Sequence, residues 1–166
     1  VHVFSKVDVT TVSKLKEIVI QGENPSGFLI LRTANTNYRV RLNPATGKNF
    51  TDILVSGHGV TTFYSYYRQL EMPSAKYKVY ALGVNDFQTG ALTQNVIPKY
   101  LSSANVYTTL ATLPHVVPLF NAVGAYTEKL LGEFTITNFG TLEIQLTCLT
   151  TQPIVLDYLR LVPVPY

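Results

Sequence analysis

Alternation of apolar and polar residues at a period of two is the feature that most constrains this chain, because it runs through most of the sequence. Residues 1–11 show it most clearly, with four valines on one face of an extended strand: Val1, Val3, Val7 and Val9. Gly-, Pro- and Asn-rich turns such as 22–27 and 43–49 separate the runs. No segment has a convincing helical period, although 13–17 and 125–131 could each form one turn. The pattern predicts an all-β, antiparallel sandwich or jelly roll.

The predicted strands cover most of the chain: 17–21, 28–32, 38–42, 53–55, 60–72, 77–84, 107–110, 116–120, 133–137, 141–149 and 154–162. The two long runs 60–72 and 77–84, linked by the turn 73–76, are predicted to form an antiparallel hairpin. Residues 85–125 contain three prolines and are predicted to be a long, loop-rich excursion. The proline-rich tail 163–166 is not expected to continue a central strand.

Composition limits the classes of protein to which the chain can belong. With 166 residues, 1–166 is predicted to be one β-sandwich domain. The hydrophobic fraction of 46% excludes intrinsic disorder. Charged residues make up only 14%, against roughly 25% in an average protein. The surface must therefore be largely neutral, which suits contact with other proteins in an assembly or with uncharged glycans.

Charge and cysteine content exclude further classes. The net charge is +3, and its densest local group is Arg39 and Arg41, so nucleic-acid binding is not expected. No apolar run approaches ~20 residues, so membrane insertion is not expected either. One cysteine, Cys148, rules out an intramolecular disulfide and is in phase with apolar neighbours, as expected of a small buried side chain.

Two segments resemble a known family. Residues 63–84 (FYSYYRQLEMPSAKYKVYALGV) and 131–163 (with LGEFTITNFGTLEIQLT and IVLDYLRLVP) are similar to jelly-roll carbohydrate-binding modules and galactose-binding-like domains. The resemblance covers roughly half the chain. It implies a β-sandwich that binds carbohydrate. The chain has no tryptophan for stacking on sugars, although its 11 tyrosines could substitute.

The same resemblance implies a role for one acidic residue. In several of these families the aspartate of the last strand ligates a structural calcium, and Asp157 matches that position. The matching N-terminal acidic ligands are not evident, because Glu17 and Glu23 lie in unmatched surroundings. Alternatively, Asp157 caps a turn or pairs with Arg160 or a lysine.

An aromatic run is the most distinctive local cluster and supplies four predicted contact residues: Tyr64, Tyr66, Tyr67 and Arg68. On a strand, Tyr64 and Tyr66 share one face with Arg68, while Tyr67 lies on the other. One face must line the core, and the other exposes a ledge that stacks sugars or seats a neighbouring subunit. The alternative is that the tyrosines fill the core with their hydroxyls at its edge.

No catalytic apparatus is recognisable, so no catalytic residue is predicted and the protein is expected not to be an enzyme. None of the three histidines has metal-ligand spacing, and His58 lies in a Ser-Gly-His-Gly turn. No nucleophile motif or phosphate loop occurs. Asn49-Phe50-Thr51 is a glycosylation sequon that matters only in a glycosylating compartment.

These observations predict a non-enzymatic structural or binding subunit of a larger assembly, such as a virion component, a spike or decoration, or an extracellular fibre. The alternative is a soluble or enzyme-appended carbohydrate-binding module that uses exposed tyrosines. Expected partners are copies of itself, other assembly proteins or surface glycans, in a virion, outside the cell or at its surface. The valine face of residues 1–11 is expected to pair either within its own sheet or with a neighbour's sheet.

Overall fold

The computed structural model describes residues 17–21, 28–32, 35–44, 46–56, 63–71, 74–85, 92–102, 104–137, 140–148 and 154–164. These residues form β-strands and no helix, which confirms the predicted fold class. Residues 1–11 and His58 lie outside the described residues. The strands are β1 (Ile18–Gln21), β2 (Phe28–Arg32), β3 (Asn35–Asn43), β4 (Lys48–Ser56), β5 (Phe63–Glu71), β6 (Ala75–Leu82), β7 (Leu92–Leu101), β8 (Tyr107–Thr109), β9 (Leu113–Val117), β10 (Lys129–Ile136), β11 (Thr141–Cys148), β12 (Ile154–Leu156) and β13 (Tyr158–Val164).

Three antiparallel sheets make up the described structure. The four-stranded sheet has the order β1-β13-β6-β10. The six-stranded sheet has the order β2-β5-β11-β7, and both β8 and β9 pair with the remaining edge of β7. The three-stranded sheet has the order β12-β4-β3. Alternate residues of each strand point to opposite faces, so each sheet can bury one face and expose the other.

The main core lies between the four-stranded and six-stranded sheets. Its fully buried members come from the inner faces of β6, β13 and β11 and include Val79, Leu161 and Ile144. Tyr77 stacks on Phe134 with ring centroids 5.5 Å apart. The alternation predicted for the last two long strands therefore has the expected cause, because one residue in two packs against the opposite sheet.

The predicted hairpin between 60–72 and 77–84 is wrong. β5 pairs with β2 and β11 in the six-stranded sheet, whereas β6 pairs with β13 and β10 in the four-stranded sheet. Both edges of both strands are thus occupied by partners remote in sequence. The chain crosses from one sheet to the other between them, and Ser74 Oγ donates a hydrogen bond to Thr137 O across 3.0 Å at the crossing.

Residues 85–125 are more regular than predicted, since they contain β7, β8 and β9. β7 is ten residues long and has Pro98 in its interior. The carbonyl of Pro98 accepts a hydrogen bond from Leu110 N across 2.9 Å. In an antiparallel strand the N and the carbonyl of one residue point to the same side. The missing N–H therefore faces the interruption between β8 and β9, where no ladder partner is lost.

The predicted strand 154–162 is two strands that belong to different sheets. β12 pairs with β4, β13 pairs with β1 and β6, and the switch occurs at Asp157, whose N–H donates to Leu82 O across 2.9 Å. The tail also differs from prediction, because Pro163 and Val164 continue β13 opposite β6. Pro163 is tolerated there because the described pairing of β13 with β1 reaches only Leu161.

A buried side chain connects the six-stranded and three-stranded sheets. Gln94 Nε2 donates to Val155 O across 2.8 Å, and Val155 N donates to Gln94 Oε1 across 3.0 Å. Nε2 of Gln94 also lies 3.1 Å from His115 Nδ1. Because an amide nitrogen can only donate, Nδ1 accepts, and the ring proton of His115 is on Nε2. That atom is buried with no partner among the described residues.

Replacing Gln94 with leucine should strongly destabilise the fold. The change leaves the buried N–H and C=O of Val155 without partners, and each such loss costs roughly 1–3 kcal/mol. We expect the free energy of unfolding, measured in urea, to fall by about 2–5 kcal/mol. Thr93→Val, on the opposite face of the same strand, is the matched control and should change it by less than about 0.5 kcal/mol. Equal effects of the two substitutions would contradict this role of Gln94.

Acid should destabilise the fold through His115. Burial, with a smaller effect from the Lys129 charge, lowers the pKa of His115 from 6.5 to about 4. Above pH 6.5 the ring is neutral in both the folded and unfolded states. Below that pH the unfolded chain takes up a proton that the folded chain refuses, so stability falls between pH 6.5 and 4, by roughly 3 kcal/mol in all.

The carboxyl groups also titrate in this window, so the measurement is the difference between the wild type and His115→Gln in urea unfolding at each pH. Between pH 6.5 and 4 the free energy of unfolding of the wild type should fall by roughly 3 kcal/mol more than that of the variant. An NMR titration of the His115 ring gives an independent reading. Parallel stability curves, or a native His115 pKa near 6.5, would contradict the prediction.

Candidate functional site

The outer face of the six-stranded sheet, opposite the core, is the candidate site. Cross-strand register places one row of positions across four of its strands: Tyr67 on β5, Glu143 on β11, Lys99 on β7 and Thr109 on β8. These positions alternate with the buried Ile144 and its neighbours, which face the core. The row is fixed by backbone ladders on both sides of β11 and β7, so its spacing is that of adjacent strands, about 5 Å.

Glu143 is the unusual member of this row. Only 8% of its surface is exposed. In the part of the chain that the structure describes, no hydrogen bond or ion pair engages its carboxylate. Lys99, directly across the strand pair, is half-buried. A carboxylate this deeply recessed needs hydrogen-bond donors, because burial of an unpaired charge is costly. Its two oxygens could accept hydrogen bonds from two neighbouring hydroxyl groups.

Besides Lys99 and Tyr67, neutral polar groups and the ring of Tyr107 share the outer face with Glu143. Tyr107 is 53% exposed on β8, opposite Leu101, and Thr109 is exposed beside it. Gln145 and Asn95 are half-buried on the same outer face. Amide and hydroxyl groups with an accessible tyrosine at the rim are the side chains that bind sugar rings through hydrogen bonds and stacking.

The register divides the predicted aromatic ledge between the two faces of β5. Tyr64 and Tyr66 are opposite Leu146 and Ile144, which belong to the core side. Tyr67 is opposite Glu143, on the outer side. Arg68 is opposite Phe28 on β2. Tyr67 is therefore the member of the predicted ledge whose position joins the candidate site, and its contact with a ligand stays a prediction.

Asp157, the predicted calcium ligand, is buried at the switch between β12 and β13. No group of three His, Cys, Asp or Glu side chains that could hold a metal ion occurs among the described residues. Calcium binding by Asp157 thus stays a prediction. The described residues also include no helix long and apolar enough to cross a membrane.

A charged cluster that no sequence pattern predicted lies on the outer face of the four-stranded sheet. Arg160 donates from Nε and Nη2 to the two carboxylate oxygens of Glu128, and from Nη1 to Glu17 Oε2 across 2.9 Å. Its guanidinium lies 4.5 Å from the centre of the Tyr80 ring. Tyr158 Oη donates to Glu128 Oε2 across 2.9 Å. Because these acids lie far apart in sequence, no spacing pattern could have revealed the cluster.

The charged groups of this cluster already have partners of opposite charge within the protein. Hydrogen bonding by Arg160 lowers the pKa of Glu128, and Glu128 together with Glu17 raises the pKa of Arg160. Burial and the hydrogen bond to Glu128 raise the pKa of Tyr158 to about 12. Glu128 and Glu17 are therefore engaged with a cation, whereas none of the described residues forms an ion pair with Glu143 on the six-stranded sheet.

No family model and no curated protein matches the sequence. Solved structures do match the fold. Endo-1,4-β-D-xylanase 10B of Clostridium thermocellum (CBM22-1 and GH10 modules, complexed with xylohexaose) matches with a TM-score of 0.61 and 16% identity, over 89% of this chain and 28% of that chain. The chain therefore spans little more than a quarter of the xylanase chain.

Two further matches are to isolated modules. The C-terminal CBM6 of LamC, a laminarinase from Zobellia galactanivorans, has a TM-score of 0.53 and 14% identity, over 89% of this chain and 99% of that one. The CBM22-2 xylan-binding domain of Paenibacillus barcinonensis Xyn10C has a TM-score of 0.51 and 10% identity, over 90% and 99%. At such identities the likeness establishes the fold alone, and that fold is the β-sandwich of carbohydrate-binding modules.

Proposed function

We propose that this protein is a non-catalytic carbohydrate-binding domain that holds a neutral glycan on the outer face of its six-stranded sheet. The observation that carries the proposal is the recessed carboxylate of Glu143 at the centre of that face, to which no described residue makes a hydrogen bond or ion pair. Sugar hydroxyls can donate to both of its oxygens, and hydrogen bonds to a charged acceptor contribute about 1.5–3 kcal/mol.

The surroundings of Glu143 favour an uncharged ligand. An anionic sugar placed against this carboxylate would be repelled at short range. The amide groups of Asn95 and Gln145 both donate and accept, as hydroxyl-rich ligands require. Tyr107 supplies an apolar ring face at the rim of the sheet. A neutral chain of pyranose rings meets all of these requirements.

The structural neighbours support the same ligand class. The xylanase structure contains xylohexaose, and the Paenibacillus domain is described as xylan-binding. Both ligands are neutral chains of sugar rings. A setting at the cell surface or outside the cell, where such glycans occur, follows from this proposal.

Binding without hydrolysis is proposed because glycoside hydrolysis requires two carboxyl groups about 5–10 Å apart. Among the side chains that the structure describes on this face, Glu143 is the only carboxylate. An assembly role is a second candidate function, because one observation favours it: the outer edge of β3 is paired with no other strand among the described residues.

Glu143→Gln should weaken binding of xylohexaose by about tenfold or more, because two hydrogen bonds to a charged acceptor become weaker or are lost. Isothermal titration calorimetry measures the Kd directly. Glu133→Gln, on the outer face of the four-stranded sheet beside Lys76, is the matched control and should leave Kd unchanged. Wild-type protein that binds neither xylohexaose nor other neutral β-glucans and xylans would overturn the proposal.

Tyr67→Ala and Tyr66→Ala should have opposite consequences. Tyr67 shares the outer row with Glu143, so its loss should weaken glycan binding several-fold and leave stability almost unchanged. Tyr66 is opposite the buried Ile144, so its loss should lower the free energy of unfolding by about 3–5 kcal/mol. Calorimetry and urea unfolding on both variants make the comparison. Unchanged affinity in Tyr67→Ala would remove Tyr67 from the site.

A further inference from the structure

β3 is a long strand with one edge that no other described strand pairs with. It forms nine consecutive cross-strand pairs with β4, from Asn35 opposite Ser56 to Asn43 opposite Lys48, without a bulge. In the part of the chain that the structure describes, no strand pairs with its other edge. A regular strand of this length presents a row of outward N–H and C=O groups, which is a template for adding another strand.

The side chains of β3 reinforce this edge. Val40 is 72% exposed and Leu42 is 58% exposed, both on the face that carries Asn49 and Thr51 of β4. Proteins usually protect an edge with proline, lysine, a bulge or a very short strand. β3 has no proline, lysine or bulge, since its sequence is NTNYRVRLN and its ladder is unbroken. Its charged residues, Arg39 and Arg41, occupy the positions that alternate with Val40 and Leu42. An apolar strand added alongside would cover both exposed side chains.

We propose that β3 accepts residues 6–14 of a second copy of this chain as an added antiparallel strand. With Val9 opposite Val40, the antiparallel register places Val7 opposite Leu42, so that apolar residues meet on one face. The same register places Asp8 opposite Arg41 and Thr10 opposite Arg39 on the other face. An apolar and a charged match in one register specify both the segment and its direction.

The short link between residues 6–14 and β1 favours pairing of this segment with β3 of a second copy over pairing with β3 of the same chain. In this register Lys14 is opposite Asn35, and the link from Lys14 to Glu17 spans at most about 11 Å. Glu17 is held by Arg160 beside β13, whereas β3 lies two strands, about 10 Å, beyond β12. The seven residue-to-residue steps from Ile154 to Leu161 add about 20 Å of strand. β12 and β13 do not pair with each other, so the chain does not double back at Asp157.

Charge disfavours pairing of β3 with a second β3. The antiparallel register that keeps all nine residues paired places Arg39 opposite itself, and like charges directly opposite each other are destabilising. Addition of residues 6–14 avoids this repulsion. Each copy then offers one donor segment and one acceptor edge, which links copies head to tail in a ring or a filament.

Disulfide trapping tests the pairing in full-length chains. Two Cys148→Ala proteins are mixed and oxidised, one with Val9→Cys and the other with Val40→Cys. We expect a mixed disulfide dimer on non-reducing gels, because directly opposed Cβ atoms lie within reach of a disulfide. The matched control pairs Val9→Cys with Arg41→Cys, whose side chain is on the other face, and should give little dimer. Absence of dimer in the first mixture would overturn the proposal.

A single chain carrying both Val9→Cys and Val40→Cys decides between the same chain and a second copy. Head-to-tail addition gives covalent oligomers. An internal disulfide in a monomer would overturn the choice of a second copy.

Charge exchange gives an independent test without cysteines. Arg41→Glu faces Asp8 with a like charge and should weaken self-association, measured by analytical ultracentrifugation, by about fivefold. Asp8→Arg combined with Arg41→Glu should restore it. Failure of the double variant to restore association, or a wild type that stays monomeric, contradicts the proposal. Glu143→Gln should associate normally, so this result is independent of glycan binding.

Discussion

The attachment of the three-stranded sheet depends on one buried amide, which bonds to the edge of β12 that β4 does not occupy. β12 pairs with β4 along one edge, and the backbone of Val155 on its other edge is fully buried, so it needs a partner inside the protein. Gln94 supplies both a donor and an acceptor to that one residue. Space around the contact is so tight that a Cβ on Gly83 would lie 3.2 Å from Val155 O and 3.5 Å from His115 Cε1. The three-stranded sheet is thereby attached to the sandwich.

β11 and β7 each contribute alternate residues to the core and to the candidate site. On β11, Ile144 packs into the core while Glu143 lies on the outer face. On β7, Gln94 reaches β12 while Asn95 points outward. A slip of one residue in either ladder would exchange the two faces. The stability of the core therefore fixes the geometry of the binding face, without requiring a loop to hold it.

Local alternation predicted the fold class and several strands, since β2 coincides with its predicted bounds and β11 nearly does. It failed where partners are remote. Alternation states which face a residue occupies but not which strand lies beside it, so β5 and β6 were wrongly paired. Pro98 suggested a loop, whereas it lies inside β7. The gap between β8 and β9 that leaves room for its missing N–H cannot be read from the sequence around Pro98. Glu143 and Gln94 were both detectable as residues whose character conflicts with their surroundings: a lone acid among neutral neighbours, and an amide in phase with Leu92 and Val96.

The pairing of β1 with β13 has a mechanical consequence. Because the strands are antiparallel, the chain enters β1 and leaves β13 at the same end of this pair, near Ile18 and Leu161. A force that pulls the chain before β1 away from the chain after β13 would break the cross-strand pairs of β1 and β13 one after another, starting at Ile18 and Leu161. It would not load all of these pairs at once. The ion pair between Arg160 and Glu17 lies at the end of the two strands where this separation starts. A tether pulled through residues ahead of Glu17 would thus meet its first resistance at an ion pair, while Glu128 keeps Arg160 in place after β1 has peeled away.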